Sequence, residues 1–321
     1  MVKTGKTVQE LVALAEESES NGGIVEALGY WRDVLDQDRD PILLCRFGRL
    51  ATKAGWDEVA REAFSEALRL DPKLAYANQC MALWYDDHGE PEKAIYYFDR
   101  SLDEGESAPT YTLMGAVQLQ IGRVEEARES FSKALSVDPR YEEAYYNLGG
   151  TLVHENPTEA IELLSKAVEL DPQFALAHCE LGWVLRRLER YPEAELHLRQ
   201  AVELDDSDGL AHVYLGNLLW TLSDLDAAEK EFKKAVEVSP NESLPHWCLA
   251  HFYENQGRPR EAEFYYEAAF GLDPDNPVAN LRFGVFLKAL GDYAKARVHL
   301  ERAMTSDKTC KDAHTVLDEI E

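Results

Sequence analysis

The chain has 321 residues, 45% of them hydrophobic and 29% charged, which supports a large core and excludes a disordered chain. Lys and Arg number 33 against 60 Asp and Glu, so the net charge of −27 opposes binding to phosphate backbones and anionic lipid surfaces. No run of 18 apolar residues offers a membrane span, and five cysteines, an odd count, argue for a reducing compartment, the cytoplasm, rather than a disulfide framework.

Self-similarity organises the rest of the chain. Leu70-Asp71-Pro72 returns as Val137-Asp138-Pro139, Leu170-Asp171-Pro172, Val238-Ser239-Pro240 and Leu272-Asp273-Pro274, at one or two multiples of about 34 residues. Taken in chain order, this spacing predicts nine units, over approximately 8–40, 41–74, 75–107, 108–141, 142–174, 175–208, 209–242, 243–276 and 277–310. Each unit contains two predicted helices. The first carries a small residue, as at Ala15, Gly48, Ala82, Gly115, Gly149, Gly182, Gly216, Ala250 and Gly284. A mid-helix glycine costs ~1 kcal/mol relative to alanine, so its recurrence asks for a reason, and close crossing of two helices supplies one.

The second helix carries an alanine about twelve residues later, from Ala27 and Ala60 through Ala262 and Ala296, with a bulky apolar residue four places on. Those bulky residues run Trp31, Phe64, Phe98, Phe131, Leu164, Leu198, Phe232, Tyr266 and Leu300, all on the face of their alanine. The turn between the helices often holds glycine, as at Gly22, Gly55, Gly89, Gly122, Gly257 and Gly291. The fifth unit has Asn156-Pro157 there and is one residue shorter.

On these landmarks the sequence resembles a tetratricopeptide repeat (TPR) array, a helix-turn-helix repeat of about 34 residues. Residues 309–321 resemble the extra helix that closes such arrays, so a capping helix is expected at 311–321 and the chain, 1–321, reads as a single array. The resemblance implies an all-α, right-handed superhelical solenoid with a concave groove lined by the first helices. One unit cannot bury its apolar face alone, whereas stacked units share a continuous core.

Motifs for chemistry are absent from the sequence. There is no phosphate-binding loop, and His154-Glu155 lacks the second histidine of a zinc hydrolase helix. Asp206-Ser207-Asp208-Gly209 mimics the start of a calcium loop, but its twelfth place is Leu215. His178, His212, His246 and His314 share one repeat place. Helices packed ~8–10 Å apart do not bring such residues to one ion, so they read as packed, hydrogen-bonded histidines. The expectation is a non-enzymatic chain with no cofactor and no metal site.

In the sixth unit the buried stripe is His178, Leu181, Gly182 and Leu185, and a neighbouring stripe holds Leu176, Cys179, Glu180, Trp183, Arg186 and Arg187. The resemblance makes that second stripe the groove. Over all nine units its charges cancel, so the acidic excess lies outside it. Aromatic residues collect in its later part: Tyr146, Trp183, Tyr214, Trp220 and Trp247, with only Tyr76 earlier. Trp, Tyr and Arg dominate binding hot spots. The candidate partner site is therefore Tyr146, Trp183, Arg186, Arg187, Tyr214, Asn217, Trp220, Trp247, His251 and Arg282. It is expected to hold a protein or peptide, a short extended segment or helix with apolar anchors, and neither nucleic acid nor membrane.

Two known groove types of the resembling family do not fit. Pairs such as Cys45/Arg49 and Cys179/Trp183 lack the Lys and Asn of the carboxylate clamp, and Asn147 and Asn217 are isolated rather than part of an asparagine ladder. The alternative to a groove-binding scaffold is a structural subunit of a larger assembly that docks through the acidic outer face. Cys45, Cys80, Cys179 and Cys248 fall on groove places and are expected reduced, with Cys45 and Cys80 too far apart to bridge.

Overall fold

The computed structural model describes residues 6–306 and 311–319. Among them are nineteen helices and no strand. The chain divides into two compact units, Met1–Glu155 and Asn156–Glu321. The first contains α1 (Val8–Ser20), α2 (Ile24–Leu35), α3 (Pro41–Lys53), α4 (Asp57–Leu70), α5 (Ala75–Asp87), α6 (Pro91–Leu102), α7 (Ala108–Gln120), α8 (Val124–Val137) and α9 (Glu142–Leu152). The second contains α10 (Pro157–Leu170), α11 (Ala175–Arg187), α12 (Tyr191–Leu204), α13 (Gly209–Thr221), α14 (Leu225–Val238), α15 (Ser243–Asn255), α16 (Pro259–Leu272), α17 (Pro277–Ala289), α18 (Tyr293–Ser306) and α19 (Lys311–Asp318).

Within each unit the helices form hairpins, each odd helix of α1–α8 and α11–α18 packing most extensively on the even one that follows. The second-helix pattern is the core. Every alanine of the series is sealed, and so are the bulky residues four places on, from Trp31 and Phe64 to Tyr266 and Leu300. Burying a side chain of that size contributes ~1.5–3 kcal/mol, so the repeated pair anchors each hairpin. The small residue on the first helix lets the pair close. A Cβ on Gly182 would stand 2.6 Å from Leu198 Cγ, and one on Gly216 would stand 2.9 Å from Phe232 Cε1. The bulky residue of the second helix thus fills the space that the glycine leaves.

Turns between paired helices need a left-handed residue, and glycine supplies it six times, with φ between 67° and 84°. Glu189 (φ 59°) and Ser223 (φ 66°) adopt the same conformation at the same place without glycine's freedom. Turns between hairpins are closed by the Asp of the Asp-Pro phrase. Asp71, Asp138 and Asp171 of the phrase, and Asp205 at the equivalent place before Asp206, each accept a hydrogen bond from the backbone N–H two residues on, at 2.9–3.1 Å. Asp208 then caps α13 by accepting from Leu210 N at 2.9 Å, which gives the Asp206–Gly209 stretch a structural role.

The shared histidine place belongs to this turn. His212 Nε2 meets the Asp206 carbonyl at 3.2 Å and His246 Nε2 meets that of Pro240 at 3.0 Å. Asn78, Tyr145 and Asn280 donate in the same register to the carbonyls of Pro72, Pro139 and Pro274. His178 is buried and pairs with His197, Nδ1 to Nδ1, at 3.0 Å. His314 departs from the expectation of packed histidines, because it is exposed.

The cysteines also depart from the sequence reading. Cys45, Cys80, Cys179 and Cys248 are free but buried, at 0–4% exposure, so the edge of the stripe turns into the wall between helices. The neighbouring Cys80 thiol together with burial pushes the Cys45 thiol up. Cys310 lies outside the described residues.

Candidate functional site

Nine of the ten candidate residues belong to the second unit, on α11, α13, α15 and α17. Tyr146 is half-buried on α9 of the first unit. The nine form two aromatic groups and three flanking contacts.

The first group centres on Trp183 of α11. Tyr214 of α13 stacks on it, with ring centres 5.8 Å apart and planes at 23°. The Arg187 guanidinium lies over the same indole, 4.9 Å from its centre. Arg186 is half-buried, and its Nε has no acceptor among the described residues. Burial holds the Arg186 guanidinium below its ordinary value, and the adjacent charge of Arg187 acts in the same sense. Burial likewise pushes the Glu180 carboxyl and the Tyr214 phenol up. This end of the stripe is therefore poorly hydrated.

The second group centres on His251 of α15. Trp247 stacks on it at 5.4 Å and 22°, and Trp220 of α13 meets it edge-on at 5.2 Å. Burial pulls His251 down, and Arg282 nearby acts in the same sense against the opposing charge of Glu254. Trp220 also packs edge-on against the buried Phe232 and Phe252. It is mainly part of the wall. Trp247 is half-buried, and its Nε1–H has no acceptor among the described residues. Burial pushes the Cys248 thiol up to about 12, with the Asn217 side chain acting in the opposite sense. Arg282 is exposed on α17.

Among the described residues no three His, Cys, Asp or Glu side chains converge as metal ligands, and no helix is long and apolar enough to cross a membrane. The aromatic count passed over one feature, a cavity of about 210 Å³ in the first unit, edged by Arg46, Arg49 and Lys53 of α3. Its signal in the sequence was the only cluster of three cations on the early groove places.

Family models described as tetratricopeptide repeats match residues 253–320 and the overlapping stretches 151–209 and 179–243, and one described as a TPR repeat matches 115–153. The chain is similar to the "TPR repeat-containing protein YpiA" of Bacillus subtilis (strain 168), 26% identical over 136 residues, 42% of this chain and 32% of that protein. It is also similar to a "Probable UDP-N-acetylglucosamine--peptide N-acetylglucosaminyltransferase SPINDLY" of Hordeum vulgare, 30% identical over 139 residues, 40% of this chain and 15% of that protein. It thus spans less than a third of either relative's length. A chain of the APC/C hetero-tetramer Cut9–Hcn1 shares the fold, with a TM-score of 0.65 at 18% identity over 92% of this chain and 58% of that one.

Proposed function

The chain belongs to the tetratricopeptide repeat family, and from that membership we propose that it is a non-catalytic scaffold whose second unit holds an extended segment of another protein. The observation that carries this reading is a pair of donors with no acceptor on the groove stripe, Arg186 Nε and Trp247 Nε1. A buried donor left unpaired costs ~1–3 kcal/mol, and more when charged, so a side-chain shift that exposes it to a ligand's acceptor recovers that cost. The stacked Trp183–Tyr214 pair and the Trp247–His251 pair are already ordered, which limits the entropy lost on binding. The segment we favour carries apolar or aromatic anchors and one carboxylate for Arg186 and Arg187. A reducing compartment such as the cytoplasm suits the free thiols. The barley relative's named activity is not carried over, since the match covers 15% of that protein.

Selection of a displayed random peptide library on the full chain tests the reading. Enriched peptides should share an aromatic or apolar anchor and an acidic residue, and should lose binding to the Trp183→Ala and Trp247→Ala variants. Peptides that bind both variants as well as the parent would move the site elsewhere.

One observation favours the alternative of docking through the outer face. Two places after the packed alanine, the second helices expose Tyr96, Leu196, Phe264 and Val298, by 48–65%. In this second reading the chain is a subunit of an assembly, and substitution of Leu196 and Phe264 rather than of the groove indoles releases the partner.

A further inference from the structure

The first unit carries a site of different chemistry, independent of the groove reading for the second. The cavity of about 210 Å³ lies where α1, α2, α3 and α5 meet. Arg46, Arg49 and Lys53 stand three and four residues apart on α3 and so share one helix face. Three cations on one face are unexpected in a chain of net charge −27.

The carboxylates within the cavity are already engaged. Glu16 accepts from Arg46 Nη1 at 3.0 Å. Glu19 accepts the indole N–H of the buried Trp31 at 2.6 Å. The Arg46 guanidinium also lies over the Trp31 ring, 5.4 Å from its centre. Arg49 reaches only a phenol, its Nη1 donating to Tyr76 Oη at 3.0 Å. Glu19 acts on Arg49 through space but forms no ion pair with it. Among the described residues neither Arg49 nor Lys53 has a carboxylate within ion-pair distance.

Volume limits the occupant. Sites for drug-sized ligands run ~300–1,000 Å³, and this one is smaller. A space of that size suits a single side chain rather than a whole drug-sized ligand. We propose that the cavity receives an aspartate or glutamate side chain of a partner segment, its carboxylate bridging Arg49 and Lys53 and its stem lying against Tyr76. Charge-assisted hydrogen bonds to a guanidinium and an ammonium make this contact selective for the ionised acid. Because both cations are exposed, raising the salt concentration weakens it.

The test is an NMR titration of the full chain, reading the arginine Nε–Hε resonances. The probe is an acetylated, amidated alanine pentapeptide with one central glutamate. We expect a saturable shift of the Arg49 resonance at millimolar peptide. Affinity should fall at least tenfold for the glutamine counterpart and, read from the Arg46 resonance at the same cavity, for the double variant Arg49→Gln, Lys53→Gln. It should be unchanged in Arg69→Gln, an exposed cation of α4 outside the cavity. No saturable shift, equal binding of the two peptides, or equal binding by the double variant overturns the proposal. An equal loss in Arg69→Gln would make the contact general charge attraction rather than a site and also overturns it. Inorganic phosphate is a separate arm, and binding as tight as the peptide's would make this a site for free anions rather than for a partner's side chain.

Discussion

Replacing Gly182 tests the physical reason for the repeat's small residue. An added Cβ would meet Leu198 Cγ at 2.6 Å, Leu198 Cδ2 at 2.9 Å and the Ala194 carbonyl oxygen at 3.2 Å. The first two belong to a fully buried side chain and the third to backbone, so none can simply swing away. Overpacking costs ~1–3 kcal/mol, while exchanging glycine for alanine in a helix gains ~1 kcal/mol. Gly182→Ala should therefore be neutral to destabilising by about 2 kcal/mol, and Gly182→Leu should be worse. Gly29 is the control, because it lies exposed inside α2 with nothing within 4 Å of an added Cβ. Gly29→Ala should stabilise by about 0.5–1 kcal/mol. Urea midpoints with unchanged slope supply the readout. The reasoning is refuted if Gly182→Leu leaves the midpoint in place, or if the two alanine variants shift it equally in the same direction.

Glu189→Gly and Ser223→Gly should each raise the urea midpoint, by roughly 0.5–1 kcal/mol, because the left-handed backbone penalises any side chain there. Below pH 6.5 stability should decline. Burial lowers the His178 and His197 pKa values beneath their ordinary 6.5, so the unfolded chain binds protons that the folded one refuses. A pH series of thermal midpoints should show a shallower decline in His197→Gln. His212 has the opposite sign: burial lowers its pKa, but the hydrogen bonds it donates to the Glu231 carboxylate and the Asp206 carbonyl, with the Glu231 charge, together outweigh that and the net shift is upward from 6.5. Its contribution is full below pH 6.5 and lost as pH rises through the folded value, so Glu231→Gln should cost stability at pH 6 and little at pH 8. Thiol titration of unreduced, unfolded protein should count all five cysteines, and fewer would contradict the reading of Cys45 and Cys80 as free.

The hairpins were legible because one physical demand, a small residue facing a large one, recurs in every unit, as in Gly182 with Leu198 and Gly216 with Phe232. The groove stripe was legible only in part. Its outer places, Trp183, Arg187 and Arg282, keep solvent contact, but its edge places sit between neighbouring helices and bury Cys45, Cys179 and Cys248. A single-helix wheel does not see the neighbour. Trp220 shows the same limit, since its partners Phe232 and Phe252 belong to other helices. The first-unit cavity was missed because counting rings drew attention to the later units. Its walls also combine stripe places with Trp31, which belongs to a second helix. The histidine register marked the inter-hairpin turn, a role visible only once Asn78 and Asn280 appear at the same place with the same carbonyl.

The central claim, partner binding through the second unit's stripe, is tested most directly by titration calorimetry of a library-selected peptide against folded single variants. Trp183→Ala, Trp247→Ala and Arg186→Gln should each weaken binding by about 2 kcal/mol, roughly 30-fold. Phe264→Ala, on the exposed second-helix place, should bind as the parent does. Undiminished binding by all three stripe variants, with loss in Phe264→Ala, would contradict the account and move the interface to the outer face.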